Sequence, residues 1–369
     1  AMALILIATF ILGYAFIAME HKIKIDKAAT ALTMFGAMWA IYALLGGSDT
    51  TGTELTEHLG STCETLVFLI GAMTIVDLID THGGFYILTK YITTRKKIKL
   101  LWVMAGITFF MSAVLDNMTT TIVMIMMLRK IIAKPLDRWI FSGIIIIAAN
   151  AGGAWSPIGD VTTIMMWMRG NVTTLPLMSY LILPCIVATL VPLSVMSFRY
   201  RQSGGDVLSS QPIEMRLPQG VGKKFSRGIF FAGVLGLLSV PVIKAVTGLP
   251  PYVGIMFVLG GLWILTEIIY GRKREMEESI KNRVSKVIKH IDMPTILFFL
   301  GILMSVSCLQ SANILSEAAN FLDKNVHEVF AITSAVGVLS SIIDNVPLVA
   351  ACMGMYPIVT PEMLQTCAD

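Results

Sequence analysis

Apolar residues gather in long runs along this chain, and charged residues fall between the runs. Seven runs are almost continuously apolar: 3–19, 28–45, 62–80, 176–197, 229–247, 252–270 and 293–310. Each comes close to the ~20 residues that a helix needs to cross a bilayer. A water-facing helix shows polar residues returning every turn, and these runs do not. Three more runs are apolar but interrupted. In 140–168 the interruption holds Gly152, Gly153, Ser156, Pro157 and Gly159, which predict an unwound segment inside a spanning helix. In 98–131 and 327–357 an Asp-Asn pair stands at the centre. The arms on either side are roughly 15 residues, short for a crossing and right for a re-entrant hairpin. Backbone that turns at membrane depth is tolerated only inside protein or beside a water-filled cavity.

Loop charge orients these elements. The loop 21–27 carries His21, Lys22, Lys24 and Lys27, whereas 46–60 has no Lys or Arg. Lys90, Arg95, Lys96, Lys97 and Lys99 precede the first hairpin, and Arg129, Lys130, Lys134 and Arg138 follow it. The positive-inside rule places both of its ends in the cytoplasm. The basic linker 199–227 is cytoplasmic by the same rule. So is 272–290, where Met276, Ile280, Val284, Val287 and Ile291 recur at helical spacing and predict an interfacial amphipathic helix. The ends of 327–357 carry Asp323, Glu328 and Glu362 with only Lys324 nearby, so this hairpin enters from outside.

The two hairpins belong to a repeat. Ser112-x-x-x-Asp116-Asn117 matches Ser340-x-x-x-Asp344-Asn345, and Thr65-x-x-Phe68-x-x-Gly71 matches Thr295-x-x-Phe298-x-x-Gly301. An odd number of crossings per half gives the halves opposite topology, the arrangement of alternating-access transporters with their site at the midplane. The sequence therefore predicts an all-α polytopic membrane protein of inverted repeats, each with a re-entrant hairpin and a broken transmembrane helix. The first repeat spans 1–198, with three helices, hairpin 98–131, broken helix 140–168 and helix 176–197. The linker 199–227 and a second repeat, 228–369, with three helices and hairpin 327–357, follow. Counterparts of Asn150 and Asp160 are expected beyond Asp369, so the second repeat reads as incomplete at its C-terminus.

Composition narrows the class. Hydrophobic residues make up 55% of the 369 and charged residues 14%, against about 25% charged in a soluble domain. Lipid must be the solvent for much of the surface. The net charge of +4 sits in a few loops, which is topology and not a nucleic-acid footprint. The cysteines Cys63, Cys185, Cys308, Cys352 and Cys367 are scattered, with no CxxC or Cys/His cluster to suggest a disulfide or soft-metal site. The first run lacks a basic n-region and an A-x-A site, so it reads as a span and not a signal peptide. Nothing implies a cofactor.

Chemistry concentrates where polar groups sit at membrane depth. An ionised carboxylate there costs several kcal/mol and persists by pairing, protonation or cation binding. Asp116-Asn117, followed by Thr119 to Thr121, poses this problem from one side and Asp344-Asn345, with Ser340 and Ser341, from the other. The string Asn150 to Thr163 contains Asp160, Thr162 and Thr163 beside the predicted break. Unwound carbonyls with carboxylate, amide and hydroxyl oxygens make a site for a hard cation. Plainer readings stand beside this one. Membrane Ser and Thr often bond their own preceding turn, Asn150 could tie two helices, and Gly152 and Gly153 could serve close packing. Glu64, near the outer edge, reads either as an accessory proton or ion group or as a solvated helix start, and Asp77 and Asp80 as interfacial. His21, His58, His82, His290 and His327 read as solvated loop residues, with pH sensing as the alternative.

At GAMTIVDLIDTHGGF (71–85), SAVLDNMTTT (112–121), NAGGAWSPIGDVTT (150–163) and SSIIDNVPL (340–348) the sequence resembles the NhaD-type sodium/proton antiporters, within a superfamily that also holds arsenite and dicarboxylate carriers. The resemblance implies Na⁺ or Li⁺ exchange for H⁺ across a bacterial inner membrane by a homodimer with separate scaffold and transport domains. It carries functional roles onto Asp116, Asn117, Asn150, Asp160, Thr162, Thr163, Ser340, Asp344 and Asn345, and places sodium at Asp116, Asn117, Asn150 and Asp160. The same fold could instead move an anion, a dicarboxylate or arsenite, but Asp at the hairpin tips would repel an anionic substrate. An intramembrane aspartyl protease would also use paired carboxylates. Against it, Pro157-Ile158-Gly159-Asp160 lacks the first Gly of a GxGD signature, and no Tyr-Asp partner is present.

Overall fold

A computed structural model describes residues 2–46, 51–90, 92, 94, 96–202, 221–272, 283–326, 328–341 and 344–356. Among the described residues the chain is helical without strands. The helices are α1 (Met2–Ala18), α2 (Glu20–Ile23), α3 (Lys27–Leu45), α4 (Thr51–Thr81), α5 (Lys97–Ser112), α6 (Asn117–Ile131), α7 (Pro135–Ala154) and α8 (Val161–Met168). They continue as α9 (Thr174–Gln202), α10 (Lys223–Thr247), α11 (Pro251–Arg272), α12 (Val284–Val287), α13 (Met293–Ser311), α14 (Ile314–Asn325), α15 (Val329–Ser340) and α16 (Asn345–Met355). All seven apolar runs are helices. Among the described residues, six helices are long and apolar enough to cross a membrane, namely α3, α4, α9, α10, α11 and α13. The chain is an all-α, multi-pass membrane protein.

The interrupted runs break where polar or helix-breaking residues stand. α5 and α6 meet at Asp116, and α15 and α16 at Asp344. α7 ends at Ala154 and α8 resumes at Val161. Three expectations change. The segment 46–60 is not one loop, because α4 begins at Thr51 and is 31 residues long. Its polar first turns are helical, with Thr56 Oγ1 donating to the Gly52 carbonyl, so Glu64 is an exposed mid-helix residue and not a helix start. The interfacial helix is also different. Val284 and Val287 are buried in a single turn, while Met276 and Ile280 lie outside the described residues, as do His327 and Glu362.

The third change concerns His82, which is fully buried. Its Nδ1 lies 2.7 Å from the Leu78 carbonyl, and its Nε2 lies 2.8 Å from the Tyr270 hydroxyl. These partners replace the water expected of a loop histidine. His58 is likewise helical and half-buried, with Nε2 3.1 Å from Ser311 Oγ.

By packing, the chain divides into two units. One comprises Ala1–Val67 and Asp292–Asp369, the other Phe68–Ile291. The repeat boundary describes internal similarity, and packing groups the helices otherwise. In the first unit α3 and α13 approach closely, because a Cβ on Gly301 would overlap the Ala31 backbone. Trp39 Nε1 donates to the Met304 carbonyl at 2.8 Å across that contact. In the second unit α5, α7 and α9 pack together. Lys97 at the start of α5 pairs with Asp137 at the start of α7 at 2.8 Å, both side chains 9% exposed. Tyr200 near the end of α9 donates to the same carboxylate at 3.1 Å. Removing one member of such a buried pair costs about 3–5 kcal/mol, so this cluster fixes three helix ends together.

Candidate ion site at the first hairpin and the broken helix

The second unit brings the first hairpin tip against the break of α7 and α8. Backbone closeness is set by glycine. A Cβ on Gly152 would collide with the carbonyl oxygen of Phe109, and one on Gly153 with that of Gly159. A Cβ on Gly159 would lie 2.6 Å from the Ser112 carbonyl oxygen. Gly152 and Gly153 therefore do not unwind the helix as expected. They lie in the last turn of α7, where their lack of a side chain lets α5 approach, and the unwinding begins after Ala154. Ser156, Pro157 and Gly159 occupy the break itself. Ser112 Oγ donates to the Ala149 carbonyl at 2.6 Å and seals the same crossing.

Each half-helix beyond a break starts at an aspartate. Asp116 caps α6, with Oδ1 accepting from Thr119 N at 2.8 Å and Oδ2 from Thr119 Oγ1 at 2.6 Å. Asp160 caps α8 and is 6% exposed. Its Oδ1 accepts from Thr162 N at 2.8 Å and from Thr162 Oγ1 at 2.5 Å. Capping satisfies helix N–H groups, and the positive end of the helix dipole favours the carboxylate. Thr163 Oγ1 bonds the Asp160 carbonyl at 2.9 Å, so its hydroxyl serves the local turn.

Asn117 joins the two breaks. Its Nδ2 donates to Asp160 Oδ2 at 2.5 Å and to Asn150 Oδ1 at 2.9 Å. Its backbone N–H donates to the Gly159 carbonyl at 3.1 Å. Asn150 is held in turn by its own helix, donating to the Ile146 carbonyl at 2.9 Å. The structure thus gathers Asn117, Asn150, Asp160 and Thr162 into one polar cluster. Asp116 is the residue next to Asn117, but both its oxygens turn to Thr119. A carboxylate offers about four acceptor positions, and those that the Thr119 and Met118 groups leave open can take another ligand.

The first unit holds the second tip. Asp344 caps α16, accepting from Val346 N at 3.3 Å, and is exposed. Ser340 closes α15 and Asn345 opens α16, both half-exposed. Residues 342 and 343 lie outside the described set.

Two residues near these sites escaped the sequence reading. Lys244, in the last turns of α10, donates to the Trp167 carbonyl at the end of α8 at 2.7 Å and lies 4.3 Å from the Trp167 ring centre. A lone lysine in an apolar helix was the available signal, since an intramembrane cation needs a partner. Tyr14 of α1 sets its buried hydroxyl near the backbone N–H of Asp344 without an ordinary hydrogen bond.

Comparison with known proteins places this geometry. A sequence profile described as citrate transporter matches residues 14–366. The chain belongs to the citrate transporter family. Within reach of this family member stand relatives named for cations. Sodium/proton antiporter 1 of Arabidopsis thaliana is 46% identical over 96% of this chain and 60% of its own length. Sodium/proton antiporter 2 of the same plant is 42% identical over 95% of this chain and 82% of its own length. The Na(+)/H(+) antiporter NhaD of Alkalimonas amylolytica is 30% identical over 95% of this chain and 76% of its own. The chain spans about 60% of the length of the first of these relatives. The NhaD resemblance stands.

Proposed function

We propose that this member of the family exchanges Na⁺, or Li⁺, for H⁺ across a membrane by alternating access. The resemblance points to a bacterial inner membrane and to a homodimer, and we adopt both in the proposal. The cargo crosses without covalent change, and no bound cofactor is required.

One observation carries the reading. Two half-helix N-termini that would attract an anion are already capped by the chain's own carboxylates, Asp116 and Asp160. An anionic substrate would meet negative charge at both positions, whereas a small cation would neutralise it. The oxygens of Asp160, Asn117, Asn150 and Thr162 are hard donors suited to sodium, and the Asp116 carboxylate is the residue next to Asn117 in the chain. Burial disfavours a bare carboxylate, so either a proton or a cation occupies it. Competition for one carboxylate couples the two fluxes. Asp344, Ser340 and Asn345 supply the matching tip of the inverted half.

The family profile's name keeps anion uptake as the second reading. Both are tested in proteoliposomes holding a pH-sensitive dye. Sodium added outside should move protons, citrate should not, and Asp160→Asn should cut the sodium signal at least about 100-fold. Full exchange by that variant, or citrate-driven flux, would sink the assignment.

A further inference from the structure

Between α5 and α9 lies a groove of about 240 Å³. Trp102, Gly106 and Phe110 form one wall, and Ile186, Leu190 and Leu193 the other. It faces outward, since Phe110 is 67% exposed. Gly106 gives it depth, because a Cβ there would meet nothing within 4 Å. At one end Trp102 Nε1 donates to Ser197 Oγ at 2.9 Å, tying the start of α5 to the end of α9. About one turn beyond this bond, Lys99 stands on α5 and Arg201 on α9, with Lys96 and Arg199 close by along the chain. All four are exposed.

Among the described residues, no acid on these helices neutralises this rim. Across α5, α7 and α9 the one acid is Asp137, and it is buried against Lys97 and Tyr200. Beside it the first turns of α7 expose Leu136 (72%) and Trp139 (80%). Exposed tryptophan next to basic residues marks the level of lipid headgroups. This is also the end that loop charge assigns to the cytoplasm. Basic pockets between helices on that side suit anionic headgroups.

We propose that the groove and its rim form a binding site for one anionic phospholipid. Its acyl chain lies along α5 and α9, and its phosphate meets Lys99 and Arg201. The site is independent of ion exchange, and its test reads bound lipid instead of transport. The purified full chain in detergent is titrated with phosphatidylglycerol or phosphatidylcholine of matched chains, and retained lipid is read by native mass spectrometry. Phosphatidylglycerol should bind at least ~10-fold tighter than phosphatidylcholine. Lys99→Gln with Arg201→Gln should lower phosphatidylglycerol affinity on the order of 30-fold, while Lys99→Arg with Arg201→Lys keeps it. Gly106→Leu fills the groove without touching the rim and should weaken both lipids. Equal retention of the two lipids by the unaltered chain would overturn the proposal. So would a preference that survives loss of the two charges, wild-type binding by Gly106→Leu, or displacement of the lipid by inorganic phosphate alone.

Discussion

The amide of Asn117 donates to two side chains that lie 33 and 43 positions further along the chain. One acceptor is a carboxylate, and a hydrogen bond to a charged group contributes about 1.5–3 kcal/mol. Asn117→Ala should therefore lower sodium affinity at least about tenfold, read from the sodium dependence of exchange, while the purified chain still unfolds cooperatively. Wild-type affinity would remove Asn117 from the site. Glycine gives a second prediction. Gly152→Ala drives a methyl into the Phe109 carbonyl and should cost about 1–3 kcal/mol of stability. Gly143→Ala, in the same helix but facing open space, should change it by less than about 0.5 kcal/mol. Thermal unfolding in detergent compares them, and equal losses would contradict the close crossing. Asp116, Asn117 and Asp160 were legible in the sequence because each is a polar residue where lipid tolerates few. That Asn117 reaches Asp160, while Asp116 turns back to Thr119, was not. Such pairing depends on how two breaks meet in space, and no local spacing encodes it.

Elements show the same division. The apolar spans were readable because the bilayer fixes their length. The polar start of α4 was hidden, since Thr51 to Gly60 has loop-like composition and is helical nonetheless. His82 looked like a solvated loop residue because Tyr270, its partner, lies 188 positions away. α8 is the element with most to reveal. It has eight residues, Asp160 at its first end and the Lys244 ammonium at its last. An acid at the start and a cation at the end both complement the helix dipole, typically by 0.3–1 kcal/mol each. Lys244→Met should loosen α8 and raise amide hydrogen exchange across 164–168 by about tenfold, with Lys244→Arg close to the original. Unchanged protection in the methionine variant would show that the contact does not hold α8.

On the scale of the whole molecule, we propose that the repeat read from the sequence is inverted, which would make opposite faces of the membrane equivalent. In a background without native cysteines, Lys134→Cys should react with an impermeant thiol reagent only from the cytoplasmic side, and Glu328→Cys only from outside. Labelling of both from one side would refute the inversion. Both positions are exposed. The repeat could be found in the sequence because Ser-x-x-x-Asp-Asn recurs intact; how the helices group into two packed units left no such trace. One contact described above reaches furthest. At Gly152 and Gly159 the hairpin and the broken helix meet main chain to main chain. Side chains are the parts of a seam that can swivel, and at these two points backbone stands in their place. Shifting one strip of backbone drags its neighbour along. The two capped carboxylates therefore keep their spacing like a cartridge, whichever compartment they are opened to.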